Sequence, residues 1–441
     1  MCRNRKRYEA CLNEHAHIVG QLKDVLPIKE VLSNDKFENI KSNSWFNIRS
    51  KNFKQTDMIE CKPTQLDHVN EIIRCKKVII LPTNNQRELI FNWFEGYRKI
   101  YNDTVKLIRH EFRFGVEELI IDWKTLRTIF MEDRKHKYME GLKVPSHVLD
   151  SAIKSVCSSY KSALTNLKLG NIKHFVIRYI KKSKKDKVLG LEKIIFNTNG
   201  FYTNFLGKMR TNRPFDFKTV KGDPILHYDS SQNRFTLLIP EKIKTINNNN
   251  DESYVGLDGG VRTFLTGISN KNAIEIGTNL KEVIKSDFRK LDKINNNPKI
   301  PKKIKKKYEK RINKRTKNRI TDLHWKSIDY LTNNYDSVII GKLSTKSIVN
   351  KETSVLDPMT KRVAMKMSFY QFLERLKYKC QSKNISLQIV DEYLTSKLCP
   401  ICSTYNNVEG SKIYKCSFCN IKIDRDIVGS LNISMRGFNI K

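Results

Sequence analysis

No run in this chain is long and apolar enough to span a bilayer as a helix. The opening Met1-Cys-Arg-Asn-Arg-Lys-Arg7 is basic but lacks the apolar stretch of a secretory signal. There is no lipid-anchor motif and no amphipathic anchoring helix, so a membrane surface is not the expected partner. Cys2, Cys11, Cys61, Cys75, Cys157 and Cys380 are scattered without framework spacing, which excludes a disulfide scaffold and suits a reducing compartment. Acidic residues are scarce beside basic ones: 46 Asp and Glu face 83 Lys and Arg, a net charge of +37. A soluble, intracellular protein with a polyanionic partner is expected, and nucleic acid fits that description.

At 441 residues, 39% of them hydrophobic, the chain is expected to form two to four domains with folded cores. Residues 1–70 are polar, with a weak helical stretch at Tyr8–Leu26, and read as an appended extension. Val78-Ile-Ile-Leu-Pro82 reads as a short buried strand, and Thr83 as the cap of a helix running from Gln86 to about Glu111. A second helix is expected over Val148–Leu167, its apolar stripe facing a core. From Phe175 to Pro240 the pattern turns to strands. Phe175-Val-Ile-Arg-Tyr-Ile180 alternates in part, and a hairpin turns at Asp229–Asn233. Asn247–Asn250 reads as a linker.

The carboxy-terminal half reads as α/β. Strands are expected at Tyr254–Asp258, Phe264–Ile268, Ser337–Gly341 and Ile385–Glu392. A basic helical stretch is expected over about Asp287–Tyr330, an amphipathic helix over Ser368–Tyr378, and a final helix after Asp426. Cys399-Pro-Ile-Cys402 and Cys416-Ser-Phe-Cys419 form two Cys-x-x-Cys knuckles, the spacing of a four-thiolate structural zinc site. A redox dithiol pair is the competing reading of such motifs. Asp424-Arg-Asp426 follows at once. Carboxylates suit hard cations such as magnesium rather than zinc. Asp258, Glu392 and Asp426 sit at element edges, where sites gather in open α/β sheets. The bland reading of any one of them is a solvated strand end, and their setting favours the functional one. Two-cation phosphodiester hydrolysis needs a few such carboxylates converging from different elements.

Val255-Gly-Leu-Asp258-Gly-Gly-Val-Arg-Thr-Phe-Leu-Thr266 resembles the first RuvC motif of the TnpB, or OrfB-type, transposon-associated RNA-guided nucleases. Glu392-Tyr-Leu-Thr-Ser-Lys-Leu-Cys399-Pro-Ile-Cys402 resembles the family's approach to its zinc ribbon, and Asp424-Arg-Asp426-Ile-Val-Gly-Ser-Leu-Asn432 its third RuvC motif. Leu81-Pro-Thr with Gln86, and Arg98-Lys-Ile-Tyr-Asn102, resemble its opening. The eukaryotic and viral members are called Fanzors, for which a nuclear or viral-factory location is implied.

The resemblance implies a multidomain α/β plus β fold. A wedge-type β-barrel would be split over residues 71–85 and 175–246, and a helical recognition region would span 86–174. An RNase H-like RuvC domain would occupy 251–441, with a zinc ribbon inserted at 395–423. It implies guide RNA and target double-stranded DNA as partners. It also implies a structural zinc on Cys399, Cys402, Cys416 and Cys419, and two magnesium ions on Asp258, Glu392 and Asp426, with a metal-activated water attacking phosphorus in line.

Two departures matter. The family's second motif ends its strand with Gly-Glu, whereas Gly341 is followed here by Lys342, which cannot ligate magnesium. Glu392 is read as the relocated ligand, with Glu352 and Asp391 as fallbacks. Val428 stands where an asparagine is usual, and Asp424 is the fallback for Asp426. The cation row Lys302, Lys303, Lys305, Lys306, Lys307, Lys310, Arg311, Lys314, Arg315, Lys317 and Arg319, with Ile304, Tyr308, Ile312 and Ile320 on its other side, is expected to hold a guide–target heteroduplex by its backbone. A solvated helix face or a nuclear-localisation patch is the plainer alternative. Lys181–Lys187 is expected to serve the same electrostatic purpose. The competing functions are a nucleic-acid-binding protein with a decayed nuclease site, favoured by Lys342, and a strand-joining transposase.

Overall fold

In the computed structural model of the protein, residues 2–22, 31–32, 36–53, 71–113, 121–130, 143–246, 253–342, 349, 356–408 and 411–438 are described. Two compact units emerge, one made of Met1–Ile72 with Lys244–Lys441 and the other of Ile73–Ile243. The expected linker at 247–250 and the fallback ligand Glu352 lie outside the described residues.

In chain order, helix α1 (Cys2–Leu22) precedes strands β1 (Glu38–Ser42) and β2 (Asn47–Asn52). The 73–243 unit is built on β3 (Glu71–Ile80), α2 (Asn84–Arg113), α3 (Ser146–Lys168), β4 (Lys187–Gly190), the ribbon β5 (Phe196–Asn197) and β6 (Gly200–Phe201), and the hairpin β7 (Ile225–Asp229) and β8 (Arg234–Lys244). Its main sheet has the order β3-β8-β7-β4. Trp93, Ile153, Leu226 and Leu237 are among the side chains of its core. A capping box opens α2: the Thr83 N–H donates to Gln86 Oε1 at 2.9 Å, and the Gln86 N–H to Thr83 Oγ1 at 3.4 Å. Phe175–Ile180, expected to be a strand, is not in one. Side chains of α2 hold it instead: Asn102 Nδ2 donates to the Ile180 carbonyl, and the Ile180 N–H returns a bond of 2.8 Å to Asn102 Oδ1. These bonds satisfy the backbone without a ladder.

The other unit continues with β9 (Tyr254–Gly259), β10 (Leu265–Ser269), β11 (Asn272–Ile276), α4 (Leu280–Asn296), α5 (Lys302–Asn334), β12 (Ser337–Gly341), α6 (Pro358–Met367), α7 (Phe369–Ser382), β13 (Ser386–Val390), the short hairpin β14 (Ile413–Lys415) and β15 (Lys422–Asp424), and α8 (Arg425–Gly437). Its seven-stranded sheet runs β1-β2-β11-β10-β9-β12-β13. β9, β10 and β11 are antiparallel neighbours, whereas β12 pairs in parallel with both β9 and β13. The amino-terminal stretch therefore does not stand apart. β2 pairs with β11 and extends the sheet.

All five residues of β12 are buried, as expected of an apolar strand covered on both faces. Alternation along β9 explains the layers. Val255 and Leu257 join the core formed with α4 to α7, and Tyr254 joins the one formed with α8. By the same two-residue period, Gly256 and Asp258 face α8. The expected basic stretch is two helices, broken across residues 297–301. Ile312 and Ile320 reach the core, but Ile304 and Tyr308 are 44% and 45% exposed, because the first turns of α5 run beyond the apolar layer.

Candidate metal centre and carboxylate cluster

The four ribbon cysteines are the one group, among the described residues, whose metal-ligating atoms all lie within 4.8 Å of one another. Their sulfurs are 3.5 Å (Cys399 to Cys419), 3.4 Å (Cys402 to Cys416) and 3.7 Å (Cys402 to Cys419) apart. A disulfide would bring sulfurs to about 2.05 Å. A tetrahedral zinc with bonds of about 2.3 Å would set them about 3.8 Å apart. The donor set and spacing fit zinc, and the convergence of all four thiols is more than a redox dithiol pair requires. Asn406 braces the cluster: its Oδ1 accepts from the Ser417 N–H at 2.8 Å, and its Nδ2 donates to the Tyr414 hydroxyl at 2.7 Å.

The ribbon runs directly into α8. Asp424, the last residue of β15, caps that helix: its Oδ1 accepts from the Asp426 N–H at 2.9 Å, and its Oδ2 pairs with Lys412 Nζ at 3.0 Å. The fallback acid is thus occupied as a helix cap. Asp426 lies in the first turn, where the helix dipole favours an anion.

Small residues let α8 settle closely on the sheet. Ser430 Oγ donates to the Gly256 carbonyl at 2.6 Å. A Cβ on Gly429 would lie 2.6 Å from Asp258 Oδ2, and one on Gly437 would meet Ile339. The helix that carries Asp426 is therefore packed against the carboxylate of Asp258. Across the sheet, Gly341 closes β12 beside β13. A Cβ there would collide with Glu392 Oε1, Cγ and Cδ. The Glu392 side chain thus lies over the end of β12, although it belongs to the segment after β13. Glu392 Oε1 is buried with no hydrogen-bond partner among the described residues. Lys342 is exposed, its N–H donating to the Val390 carbonyl at 2.8 Å.

The electrostatics link the three acids. Burial, and then the charges of Glu392 and Asp426, push the Asp258 carboxyl well above the ordinary range. Burial and Asp391 raise Glu392 to about 7. Burial and Asp424 raise Asp426, opposed by Arg425, Arg262 and Lys412. Three carboxyls that resist ionisation together make a place where added positive charge is favoured.

Sequence reasoning missed a row of side chains beside them. Asp258 pairs across to Thr266, Thr266 to Glu275, and Glu275 to Arg49, so all four share a sheet face. Arg49 Nη1 reaches Glu275 Oε2 at 2.9 Å. Nothing in the polar run around Arg49 signals this, because the pairing of β2 with β11 is a long-range contact.

The cation row lies on α5. Lys302, Lys303, Lys306, Lys307, Lys310, Arg311, Lys314 and Lys317 are exposed. Lys305 Nζ donates to the Asn295 carbonyl at 2.7 Å. Exposed Arg315 and half-buried Arg319 are engaged by the fold itself. Both pair with Asp287, Arg319 at 2.9 Å, and Thr316 Oγ1 adds a bond of 2.9 Å to the same buried carboxylate.

This is a mixed α/β protein with a four-thiolate metal-ligand cluster whose cysteines fall in sequence between Glu392 and Asp426, on a chain of net charge +37. A TnpB-like protein of Acanthamoeba polyphaga mimivirus is 31% identical over 386 residues, covering 82% of this chain and 72% of that protein. The chain belongs to the TnpB-like family. A putative transposase of the same virus is 27% identical over 439 residues, with 92% and 89% of the two chains covered. The family model for the Cas12f1-like TNB domain matches residues 369–433. A solved Cas12f1–sgRNA–target DNA complex is similar at a TM-score of 0.45 and 14% identity, over 79% of this chain and 82% of that one. No described helix is long and apolar enough to cross a membrane.

Proposed function

We propose that the chain is an RNA-guided DNA endonuclease of a transposable element, with a RuvC-type site that hydrolyses phosphodiesters. The observation that carries this reading is the packing that brings acids of three separate elements toward one end of the sheet: Asp258 lies against Gly429 of α8, the helix that carries Asp426, and Glu392 lies over the end of β12, the strand beside β9. Counting from β9, the sheet order is 3-2-1-4-5, with the second strand antiparallel to its neighbours. That is the order of RNase H-like nucleases, and it supports residues 251–441 as the nuclease domain with the amino-terminal strands added at its edge. Residues 395–423 would be the zinc ribbon, and the four-stranded sheet with α2 and α3 the wedge and recognition parts.

Asp258, Glu392 and Asp426 are the residues that would hold magnesium, since carboxylate oxygens are the donors a hard cation prefers. Glu392 Oε1, buried and without a hydrogen-bond partner among the described residues, is a donor atom that such an ion could take. When bound, magnesium supplies Lewis-acid polarisation of the phosphate and a nucleophilic water. The chain's own residues do the rest. Gly341 leaves room for Glu392 to stand where the strand-end acid is missing, so Lys342 does not argue for a decayed site. Gly429 admits Asp258 beside α8. Arg262, Arg425 and Lys412 partly offset the burial that raises the Asp426 carboxyl. The exposed lysines of α5 offer a sequence-independent hold on a nucleic-acid backbone. Base pairing with a guide would carry sequence specificity.

The test is to purify the protein with co-expressed RNA, add magnesium and matching duplex DNA, and compare wild type with Glu392→Ala. Cleavage by wild type alone is expected. No cleavage by either sinks the nuclease reading, and equal cleavage by both sinks the role of Glu392. Strand-transfer products instead of simple breaks would favour the transposase reading.

A further inference from the structure

We infer that the amino-terminal helix α1 is a positioning element for Glu392, acting mainly through Arg7. The inference rests on the nuclease reading above and assigns a part to a segment that sequence reasoning left without one.

Glu392 lies beyond the last paired residue of β13, Val390, so the sheet ladder does not hold it. Its own carbonyl is gripped from one side, by the Thr395 N–H at 3.2 Å and Thr395 Oγ1 at 2.9 Å. Both residues flanking it are gripped by α1. Arg7 Nη2 pairs with Asp391 Oδ2 at 2.6 Å, and the same guanidinium lies 4.4 Å over the Tyr393 ring. Cys11 Sγ reaches the Tyr393 carbonyl at 3.7 Å. Arg436 of α8 ties the two helices to the same segment. Its Nη1 donates to the Asp391 carbonyl at 2.6 Å, and its Nη2 meets Cys11 Sγ at 3.1 Å. One turn further along α1, His15 Nε2 lies 3.2 Å from the Cys399 carbonyl, where the ribbon begins.

The exposure of the Arg7–Asp391 pair argues for positioning by that pair rather than stabilisation. The Arg7 and Asp391 side chains are 58% and 65% exposed, and a pair so placed adds little to folding stability. It does fix the direction in which the backbone delivers the neighbouring carboxylate. Asp391 points to Arg7 while Glu392 points over Gly341, as successive side chains of an extended segment do. Losing a group bonded directly to a metal ligand costs about 10–100-fold in metal affinity. Arg7 holds the residues flanking Glu392 rather than Glu392 itself, so an effect no larger than the lower end is expected.

The experiment uses the full-length protein with Arg7→Ala and Arg7→Lys. Manganese binding is followed by electron paramagnetic resonance, with Asp258→Asn defining the site-specific component. Zinc content, melting temperature and the magnesium dependence of cleavage are measured on the same preparations. Arg7→Ala is expected to weaken manganese binding by up to about tenfold and to raise the magnesium needed for half-maximal cleavage by a similar factor. Zinc content and melting temperature should not change, and Arg7→Lys should restore most of the affinity. Unchanged metal affinity in Arg7→Ala overturns the inference alone. So does a loss of affinity that tracks a fall in melting temperature or zinc content, since α1 would then be a plain structural support. If wild type binds no manganese dependent on Asp258 and cuts nothing, the nuclease reading falls and the inference falls with it.

Discussion

Replacing Gly341 with alanine separates the position of Glu392 from its presence. The new Cβ would lie 2.5 Å from Glu392 Cγ and 2.8 Å from Cδ. Carbon atoms in ordinary contact sit about 3.5–4.0 Å apart, so the glutamate must withdraw by about 1 Å. The atoms in the way belong to a side chain that can rotate. The backbone at Gly341 is not in the left-handed region, so alanine itself is tolerated there. The stability cost should therefore sit near the low end for overpacking, about 1 kcal/mol. Catalytic geometry is less forgiving, since a displacement of about 1 Å can cost about 10²-fold in rate. Single-turnover cleavage of a guide-matched duplex should fall by roughly that factor in Gly341→Ala, while RNA retention and thermal melting stay close to wild type. Cleavage at the wild-type rate, with the protein folded, would refute the placement of Glu392 over β12. A fall in rate matched by unfolding would refute the claim that glycine serves the carboxylate rather than the sheet.

Other expectations follow from the same geometry. Cys416→Ser should release zinc, loosen residues 395–424 and abolish cleavage together, because the ribbon leads into the helix that carries Asp426; metal analysis, limited proteolysis and a cleavage assay check this. Glu392 has a folded pKa of about 7 against an ordinary 4.5, so the metal-free folded state holds an extra proton between those values and loses stability as pH rises across that window. Glu392→Gln should remove this slope, worth up to about 3 kcal/mol, so that the metal-free variant melts above wild type near pH 8 yet gains nothing from magnesium. Replacing Lys303, Lys306 and Lys307 by alanine should weaken nucleic-acid binding and flatten its salt dependence by about 0.9 per lost phosphate contact, without changing the melting temperature. Removing Arg315 and Arg319 together should instead destabilise the fold by about 3 kcal/mol, because Asp287 is left buried without a cation.

The sequence alone settled what is local or spaced by rule. The two Cys-x-x-Cys knuckles defined a thiolate quartet, and the structure brings the four sulfurs together. The apolar runs at Tyr254–Asp258 and Ser337–Gly341 marked strands, and the spacing from Gln86 onward marked α2 with its cap at Thr83. Net charge alone argued for a polyanionic partner. Tertiary structure decided what depends on contacts distant in the chain. It took residues 38–52 out of the extension and made them edge strands, because their partner β11 lies more than two hundred residues away. It divided the cation row into exposed lysines and two arginines spent on Asp287, since burial of that acid is invisible along the chain. It also set Glu392 over the end of β12: a glycine closing one strand matters here because a glutamate from the segment after the next strand occupies the space it leaves, and only packing can show that.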